Sequence, residues 1–351
     1  MTTTLAAATP AAAGPRRSGR SGRLRILLRR IGFYLVTAWV AITLNFLIPR
    51  LMPGNPVDVI VNRLQQHYHV SPETAKAFEV LFGAPHTSLF TQYLEYLNQM
   101  AHFNFGLSIF FYPTPVSTLI VQGLPWTLCL VGVTTIIAFL IGTGLGIVSG
   151  MRPGSRLDGV LSPLATLLGA MPYFWVATMT ILLFAVALPA FPTGNGYDPN
   201  LSPAFTWEFI SSAATHAILP GLTIIVSSVG GWILGMRNMM VTTIAEDYVL
   251  LAEAKGLRRW RVMVSYAARN AMLPQVAGLA ISIGSVIGGS LLAETVFSYP
   301  GVGFLLYQGV ANLDYPLMQA MFLVISLSLL LANFIADSIY VLLDPRTRET
   351  A

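Results

Sequence analysis

The chain has 351 residues, of which 54% are hydrophobic and only 10% are charged, and its formal net charge is +5. Soluble globular proteins carry about 25% charged residues, so this composition excludes an ordinary soluble domain and indicates a membrane protein. A single cysteine, Cys129, excludes an internal disulfide or a cysteine metal cluster.

Residues 1–30 form a tail rich in Ala, Ser, Gly and Arg. Such a composition offers too little apolar surface to bury, so we expect a disordered basic tail. The apolar stretch that follows is about 19 residues long, whereas the apolar core of a secretory signal peptide has roughly 7–15 residues. We therefore predict a retained first transmembrane helix over 31–51.

Six stretches without charged residues are long enough to cross a bilayer. A helix needs about 20 apolar residues to cross a hydrocarbon core of about 30 Å, and one charge at its centre costs roughly 2.5–3.5 kcal/mol. The sequence thus predicts an all-α polytopic fold with six transmembrane helices. They are placed near 31–51, 128–150, 162–188, 215–236, 273–293 and 317–341.

The distribution of Lys and Arg predicts the orientation. With the N-terminus inside, only Arg50, Arg63 and Lys76 fall in outer segments, which leaves 17 of the 20 basic residues inside. Cytoplasmic segments of membrane proteins carry an excess of basic residues, so we expect both termini in the cytoplasm. The net charge is then a topology signal, and no nucleic-acid partner is expected.

The segments between the spans divide the chain unevenly. Residues 52–127 are predicted to form a long extracytoplasmic segment, with helix-compatible sequence near 71–81 and 91–100. A five-helix core is predicted over 128–344, and it includes a cytoplasmic loop over 237–272. The cytoplasmic C-terminus is predicted over 345–351.

The sequence carries no recognisable catalytic motif. It contains neither G-x-x-x-x-G-K-[ST] nor H-E-x-x-H nor G-x-S-x-G. His67 and His69 lack a third ligand at a recognisable spacing, so no metal site is expected. Ion-coupled carriers place ionisable groups in mid-membrane, but the candidate here, Asp337, is predicted a turn or so from a helix end. This position argues against an ion-driven secondary carrier, which stays an alternative beside a non-transporting membrane scaffold. An enzyme that binds its own cofactor is not expected.

The loop over 237–272 is predicted to contain a short helix with an abrupt end. The helix runs through 245–255 and ends at Gly256, a residue suited to a left-handed C-terminal cap. Ala252 and Ala254 are small and would leave room for a partner surface. An amphipathic helix along the membrane surface is predicted to follow. Its basic face carries Arg258, Arg261 or Val262, Ser265 and Arg269, and its apolar face carries Trp260, Met263, Val264 and Ala267.

Several spans carry glycines four residues apart, such as Gly142, Gly146 and Gly150. Small residues at this spacing let helices approach closely in lipid, so ordinary packing explains them. A sharper interpretation makes the fifth span a wall of a translocation pathway. The pathway candidates are Ser282, Gly284, Ser285, Gly288 and Glu294.

A series of motifs resembles those of a known family. The run Glu246-Asp247-Tyr248 … Ala252-x-Ala254-Lys255-Gly256-Leu257 is similar to the cytoplasmic coupling loop of ABC importer permeases. More narrowly, the chain resembles the B-type subunit of the oligopeptide/dipeptide permease family from Arg29 to Arg348. Other motifs that carry the resemblance are Pro53-Gly54-Asn55-Pro56-Val57, Leu124-Pro125-x-Thr127-Leu128, Pro172-x-Phe174-Trp175 and Asp314-Tyr315-Pro316.

The resemblance implies a type I ABC importer permease in a bacterial cell membrane that works by alternating access. The implied partners are a second homologous permease, two cytoplasmic ATPase subunits that bind ATP and Mg²⁺, an extracytoplasmic solute-binding protein and membrane lipid. The implied cargo is a peptide, with an oligosaccharide or a nickel complex as alternatives, because Asn55, Asn104 and Glu253 depart from the family's pattern. The implied ATPase-coupling residues are Glu246, Tyr248, Ala252, Ala254, Lys255, Gly256 and Leu257.

Overall fold

A computed structural model describes residues 20–51, 88–284, 286 and 291–343, and these residues are mainly helical. The predicted all-α class is confirmed. The helices are α1 (Arg20–Leu51), α2 (Leu89–Ala101), α3 (Val116–Gly150), α4 (Arg156–Ala170), α5 (Tyr173–Thr180), α6 (Trp207–Ile244), α7 (Asp247–Ala254), α8 (Arg259–Arg261), α9 (Arg269–Gly284), α10 (Leu291–Val296), α11 (Val302–Ala311) and α12 (Tyr315–Leu343). Two π-helical stretches continue α5 and join α8 to α9, at Ile181–Ala187 and Val262–Ala268.

Four of the described helices are long and apolar enough to cross a membrane, namely α1, α3, α6 and α12. They correspond to the first, second, fourth and sixth predicted spans. The third, 162–188, is not one straight helix as predicted, because α4 meets α5 and its π-helical continuation at a bend of 96°. The fifth, 273–293, includes residues 285 and 287–290, which lie outside the described part of the chain. The described helices give up to five spans, and the count of six stays a prediction.

The bend between α4 and α5 has a local cause in Pro172. The residue before a proline avoids the helical region, and Met171 accordingly has a ψ of 129°. Beyond the bend, the hydroxyl groups of Thr180 and Thr223 share a hydrogen bond of 3.1 Å. This bond fastens α5 to α6 at a point where both helices are buried.

The parallel helices α3 and α6 form the centre of the bundle. At Gly146, a Cβ atom would lie 2.6 Å from the Cβ of Met236 and 2.7 Å from the carbonyl oxygen of Ile233. At Gly150, a Cβ atom would lie 2.5 Å from the Cβ of Met240. Larger side chains would separate the two helices, so the predicted packing role of these glycines is confirmed.

Three helices extend well beyond the limits that hydropathy predicts. α1 begins at Arg20 and not at 31, so residues 20–30 are helical although the sequence predicts disorder there. α3 begins at Val116, whereas the predicted span begins near 128, and α6 continues through Arg237 to Ile244. A charged residue marks where the lipid ends, but helical hydrogen bonding does not need to end there. The predicted loop over 237–272 is therefore itself helical for most of its length.

Helix α2 confirms the helix predicted near 91–100. A buried polar contact at Asn45 of α1 joins α1 to both α2 and α12. The side-chain amide of Asn45 donates to the hydroxyl of Tyr96 at 3.0 Å and to the carbonyl oxygen of Gln319 at 2.7 Å. The other predicted helix of this segment, 71–81, lies outside the described residues.

Asp314 ties the start of α12 to the loop that precedes α3. Its carboxylate accepts hydrogen bonds from the hydroxyl of Ser108 and from the backbone N–H of Phe110, the latter at 3.0 Å. It also accepts from the backbone N–H of Leu317 at 3.1 Å, within the first turn of α12. One buried carboxylate thus caps a helix and holds a loop.

Candidate coupling site

The loop over 237–272 folds around the short helix α7, which follows α6 after a turn of two residues. Glu246 in that turn is extended, with a ψ of 142°, so the helix begins at Asp247 and not at the predicted 245. Val249 and Ala252 on α7 are buried against residues from α6 and from the stretch after α7. We call this group the loop cluster; its buried members are Met236, Met240, Val249, Ala252, Val262, Met263, Ala267, Ala268 and Ala271.

Gly256 ends α7 in the conformation that the sequence predicts. Its φ is +75°, in the left-handed region that favours glycine. Its backbone N–H donates to the carbonyl oxygen of Glu253 at 2.9 Å, and the N–H of Leu257 donates to that of Ala252 at 3.4 Å. These two bonds make a Schellman cap. The predicted left-handed cap is confirmed.

The side of α7 opposite the loop cluster is exposed and, after Asp247 in its first turn, apolar. Leu250 is 50% exposed, Leu251 is 56% exposed, and Ala254 is also exposed. With 3.6 residues per turn, these three residues lie on the side opposite Val249 and Ala252. We call them the outward face. Such a contiguous apolar patch beyond the membrane spans is typical of a surface that a partner covers.

The seven predicted coupling residues divide between the two sides of α7. Ala252 is only 3% exposed, and Leu257 is half-buried, and both contact the loop cluster. The space beside Ala252 is therefore occupied by the chain's own helices and not left for a partner. The exposed members are Glu246, Tyr248, Ala254, Lys255 and Gly256.

Sequence reasoning missed Leu250 and Leu251, although both lie inside the motif. The available signal was a pair of adjacent leucines in a short helix between charged residues. The sequence alone does not show that these leucines face outward, because that depends on which side of α7 packs on α6.

The helix after Gly256 differs in part from the predicted amphipathic helix. Its predicted apolar face is divided, because Met263 and Ala267 are buried in the loop cluster, whereas Trp260 is 65% exposed and Val264 is exposed too. The prediction of one apolar face is thus wrong, since half of that face packs against the chain itself. The predicted basic face is exposed at Arg258, Arg261, Ser265 and Arg269.

The loop cluster joins α7 mechanically to three long helices. Met236 and Met240 come from α6, and Ile147 and Met151 from the end of α3 pack against the cluster. Ala271 belongs to α9. α7 therefore belongs to one close-packed cluster with the adjoining ends of α3, α6 and α9, and such packing transmits strain.

Comparison with known proteins identifies the family. Residues 142–349, more than half of the chain, match the family described as "Binding-protein-dependent transport system inner membrane component". The chain belongs to this family. It is thus a permease, a non-catalytic transport subunit of a bacterial inner membrane.

Relatives of this permease extend the match to nearly the whole chain. It is 33% identical over 304 residues to the oligopeptide transport system permease protein AppB of Bacillus subtilis, covering 86% of this chain and 92% of that protein. It is 30% identical over 344 residues to the dipeptide transport system permease protein DppB of Escherichia coli, covering 93% and 99%. The predicted resemblance to oligopeptide/dipeptide permeases is confirmed.

A solved structure shares the fold of the permease. A chain of the MetNI methionine ABC transporter, in an inward-facing conformation, superposes with a TM-score of 0.51 at 17% sequence identity. The match covers 64% of this chain and 96% of that chain. The predicted ABC importer permease fold is confirmed.

An ion pair joins α4 to α6 near the loop cluster of the permease. Arg237 donates to both carboxylate oxygens of Asp158, from Nε at 2.9 Å and from Nη2 at 2.8 Å. Asp158 is buried and also accepts from the hydroxyl of Ser149 at 2.7 Å and from the backbone N–H of Gly154 at 2.8 Å. A bidentate pair with this support fixes the distance between α4, α6 and the end of α3.

The predicted pathway residues are only partly described. Ser282 is half-buried on α9, and Gly284 is the last residue of that helix. Ser285 and Gly288 lie outside the described residues. The assignment of these four to a pathway stays a prediction.

Glu294, the fifth pathway candidate, is fully buried and caps a helix. Its carboxylate accepts from the hydroxyl of Thr127 at 2.7 Å and from the backbone N–H groups of Gly303 at 2.7 Å and Phe304 at 3.2 Å. Gly303 and Phe304 begin α11, where unpaired N–H groups attract an anion. These contacts give Glu294 a structural role in the described conformation.

Proposed function

We propose that this permease couples a cytoplasmic ATPase to a pathway that carries peptides across the membrane. The observation that carries the proposal is the outward face of α7, which is apolar and exposed while the other side of the same helix is buried in the loop cluster. On the proposed orientation, with both termini in the cytoplasm, this face points to the cytoplasm.

The outward face suits the apolar groove of an ATPase subunit. Leu250, Leu251 and Ala254 would enter the groove in the manner of an amphipathic helix. Exposed Asp247 lies on the same face one turn earlier, and exposed Glu253 lies beside it, so the groove is expected to have a basic rim. ATP and Mg²⁺ would bind to the ATPase, and the permease would bind no cofactor.

Transmission follows from the packing of the loop cluster. When two ATPase subunits close on ATP, each would displace the α7 helix of the permease on which it docks. The second α7 would belong to a second, homologous permease that completes the pathway. The loop cluster then moves the ends of α3, α6 and α9, which is the kind of rigid-element shift that opens and closes transport pathways. A solute-binding protein would deliver cargo to the opposite end of the bundle, where α3 and α6 begin.

The docking step can be tested with the double variant Leu250→Ser, Leu251→Ser. Burial of one leucine contributes about 1.5–3 kcal/mol, so losing two should lower ATPase binding roughly tenfold or more. The measurement is co-purification of the ATPase beside uptake in proteoliposomes. The matched control is Leu157→Ser, an exposed leucine on α4, which should change neither. Unchanged ATPase binding in the double variant would overturn the docking proposal.

The proposed cargo rests on relatives whose names state oligopeptide and dipeptide transport. We expect ATP-dependent accumulation of a labelled tripeptide in proteoliposomes that contain the whole transporter and its binding protein. Unlabelled di- and oligopeptides should compete, whereas an oligosaccharide or a nickel complex should not. Competition by either of those would overturn the peptide proposal. Uptake driven by an ion gradient without ATP would favour the secondary carrier instead.

A further inference from the structure

A basic pocket lies on the helix that follows the coupling site. Its volume is about 590 Å³, within the range of small-molecule sites. The lining includes the end of α8, the π-helical stretch and the start of α9. Because π-helical winding bonds residue i to i+5, residues four and five apart share one side of it. The lining residues are Arg261, Ser265, Tyr266, Arg269 and Asn270.

The pocket is a set of hydrogen-bond donors without a counter-charge. None of its five lining residues is acidic, and neither Arg261 nor Arg269 forms a salt bridge with any described residue. Ser265 and Tyr266, which also line the pocket, carry hydroxyl groups. Planar guanidinium groups with neighbouring hydroxyls match a phosphate group, to which arginine donates in a bidentate manner.

The surface beside the pocket indicates that the phosphate belongs to a lipid. Leu273 and Val276 follow Arg269 by four and seven residues on the same side of α9, and both are exposed. A row of apolar side chains directly above the arginines suits acyl chains and not a water-filled channel. At the other end of the pocket, Trp260 is exposed, as tryptophan commonly is at the level of lipid headgroups.

We propose that this pocket binds the headgroup of an anionic phospholipid in the cytoplasmic leaflet. The phosphate would lie between Arg261 and Arg269, and the acyl chains would run along Leu273 and Val276. Basic pockets at the cytoplasmic side of membrane helices recognise anionic headgroups in this way. The opposite side of the same helix holds Met263 and Ala267 in the loop cluster, so the lipid would steady the helix on which α7 packs.

The test uses nanodiscs of phosphatidylcholine that contain the full-length permease in its assembled transporter. Spin-labelled phosphatidylglycerol and spin-labelled phosphatidylcholine are compared by the fraction that is motionally restricted. We expect the wild-type protein to prefer phosphatidylglycerol and the variant Arg261→Gln, Arg269→Gln to lose roughly tenfold or more of that preference. The matched control Arg152→Gln, Arg156→Gln removes two exposed charges elsewhere and should keep it.

Other outcomes separate the competing explanations. Arg261→Lys with Arg269→Lys should retain part of the preference, because the positive charges remain. Assembly of the glutamine variant into the transporter at wild-type yield shows that this variant is folded. Displacement of the labelled lipid by millimolar inorganic phosphate would show a site for free phosphate and overturn the lipid assignment. A preference seen with the isolated chain but absent from the assembled transporter would show that a partner subunit covers the pocket, and would also overturn it. Because lipid binding is measured without ATP or cargo, a failure here is distinguishable from a failure of the proposed transport function.

Discussion

The backbone N–H of Leu257 donates to the carbonyl oxygen of Ala252 at 3.4 Å, and this bond closes the turn around Gly256. Both side chains contact the loop cluster. The cap therefore fixes the direction in which the chain leaves α7 and enters the helix that begins at Arg259. A Cβ atom at Gly256 would meet no atom within 4 Å, so substitutions there act on the backbone and not on packing within the chain.

Gly256→Ala should impair coupling without impairing insertion. A residue with a Cβ atom costs on the order of 1 kcal/mol in the left-handed conformation, and relief of that strain would turn α7 away from its present direction. We expect membrane levels near those of the wild type, with ATPase co-purification and ATP-driven uptake each reduced roughly fivefold. A membrane blot, a pull-down and an uptake assay measure the three quantities.

Two further substitutions control for the effect of Gly256→Ala. Gly159→Ala adds a methyl group at another position with open space, but on the ordinary helical backbone of α4, and should change nothing. Gly256→Asn should retain more uptake than Gly256→Ala, because asparagine tolerates the left-handed region better. Wild-type uptake in Gly256→Ala would contradict the role of the cap.

The ion pair between Asp158 and Arg237 should be the most sensitive polar contact near the loop cluster. Removing one member leaves a charge without its partner, which costs about 3–5 kcal/mol where the pair is buried. The side chain of Arg237 is 26% exposed, so the free-energy cost of Asp158→Ala should lie at the low end of this range. We expect a clear drop in the melting temperature of the purified protein. Glu208→Gln, at an exposed glutamate of α6, is the control. A melting temperature unchanged in Asp158→Ala would show that the pair contributes little.

Local features of this permease could be predicted from its sequence, whereas contacts between distant elements could not. The cap at Gly256 depends on residues within one turn, so it can be predicted from the local sequence alone. Pro172 is also a local signal for the bend. The long charge-free stretch around it, however, favours one continuous span. The partner of Arg237 lies 79 residues earlier in the chain, and no periodicity indicates that Asp158 meets it. The outward face was missed for the same reason, because exposure at Leu250 depends on how α7 packs against α6.

The proposed orientation predicts the sides from which two engineered cysteines react. In a background of Cys129→Ser, Asn200→Cys should react with a membrane-impermeant maleimide added outside intact cells. Arg152→Cys should react only after the membrane is permeabilised, because basic residues concentrate on the cytoplasmic side. The Cys129→Ser protein without an engineered cysteine measures the background labelling. Labelling of both positions in intact cells would contradict the predicted topology.

Glu294→Gln should destabilise the permease and leave its choice of cargo unchanged. Each carboxylate oxygen accepts hydrogen bonds, from Thr127 on one side and from the backbone of Gly303 and Phe304 on the other. An amide has only one acceptor oxygen, so its NH₂ group must face either the two backbone N–H groups or the hydroxyl of Thr127, which then loses the acceptor for its own proton. Leaving such a group unpaired costs roughly 1–3 kcal/mol.

Thr127→Val should cause a similar loss, because the threonine hydroxyl also accepts from the backbone N–H of Val302 at 2.8 Å. Glu95→Gln, at an exposed glutamate of α2, is the neutral control. The measurements are the melting temperature and a peptide competition profile in proteoliposomes. A residue that lines the pathway would give the opposite result, with normal stability and an altered order of competing peptides, and that result would restore Glu294 as a pathway residue.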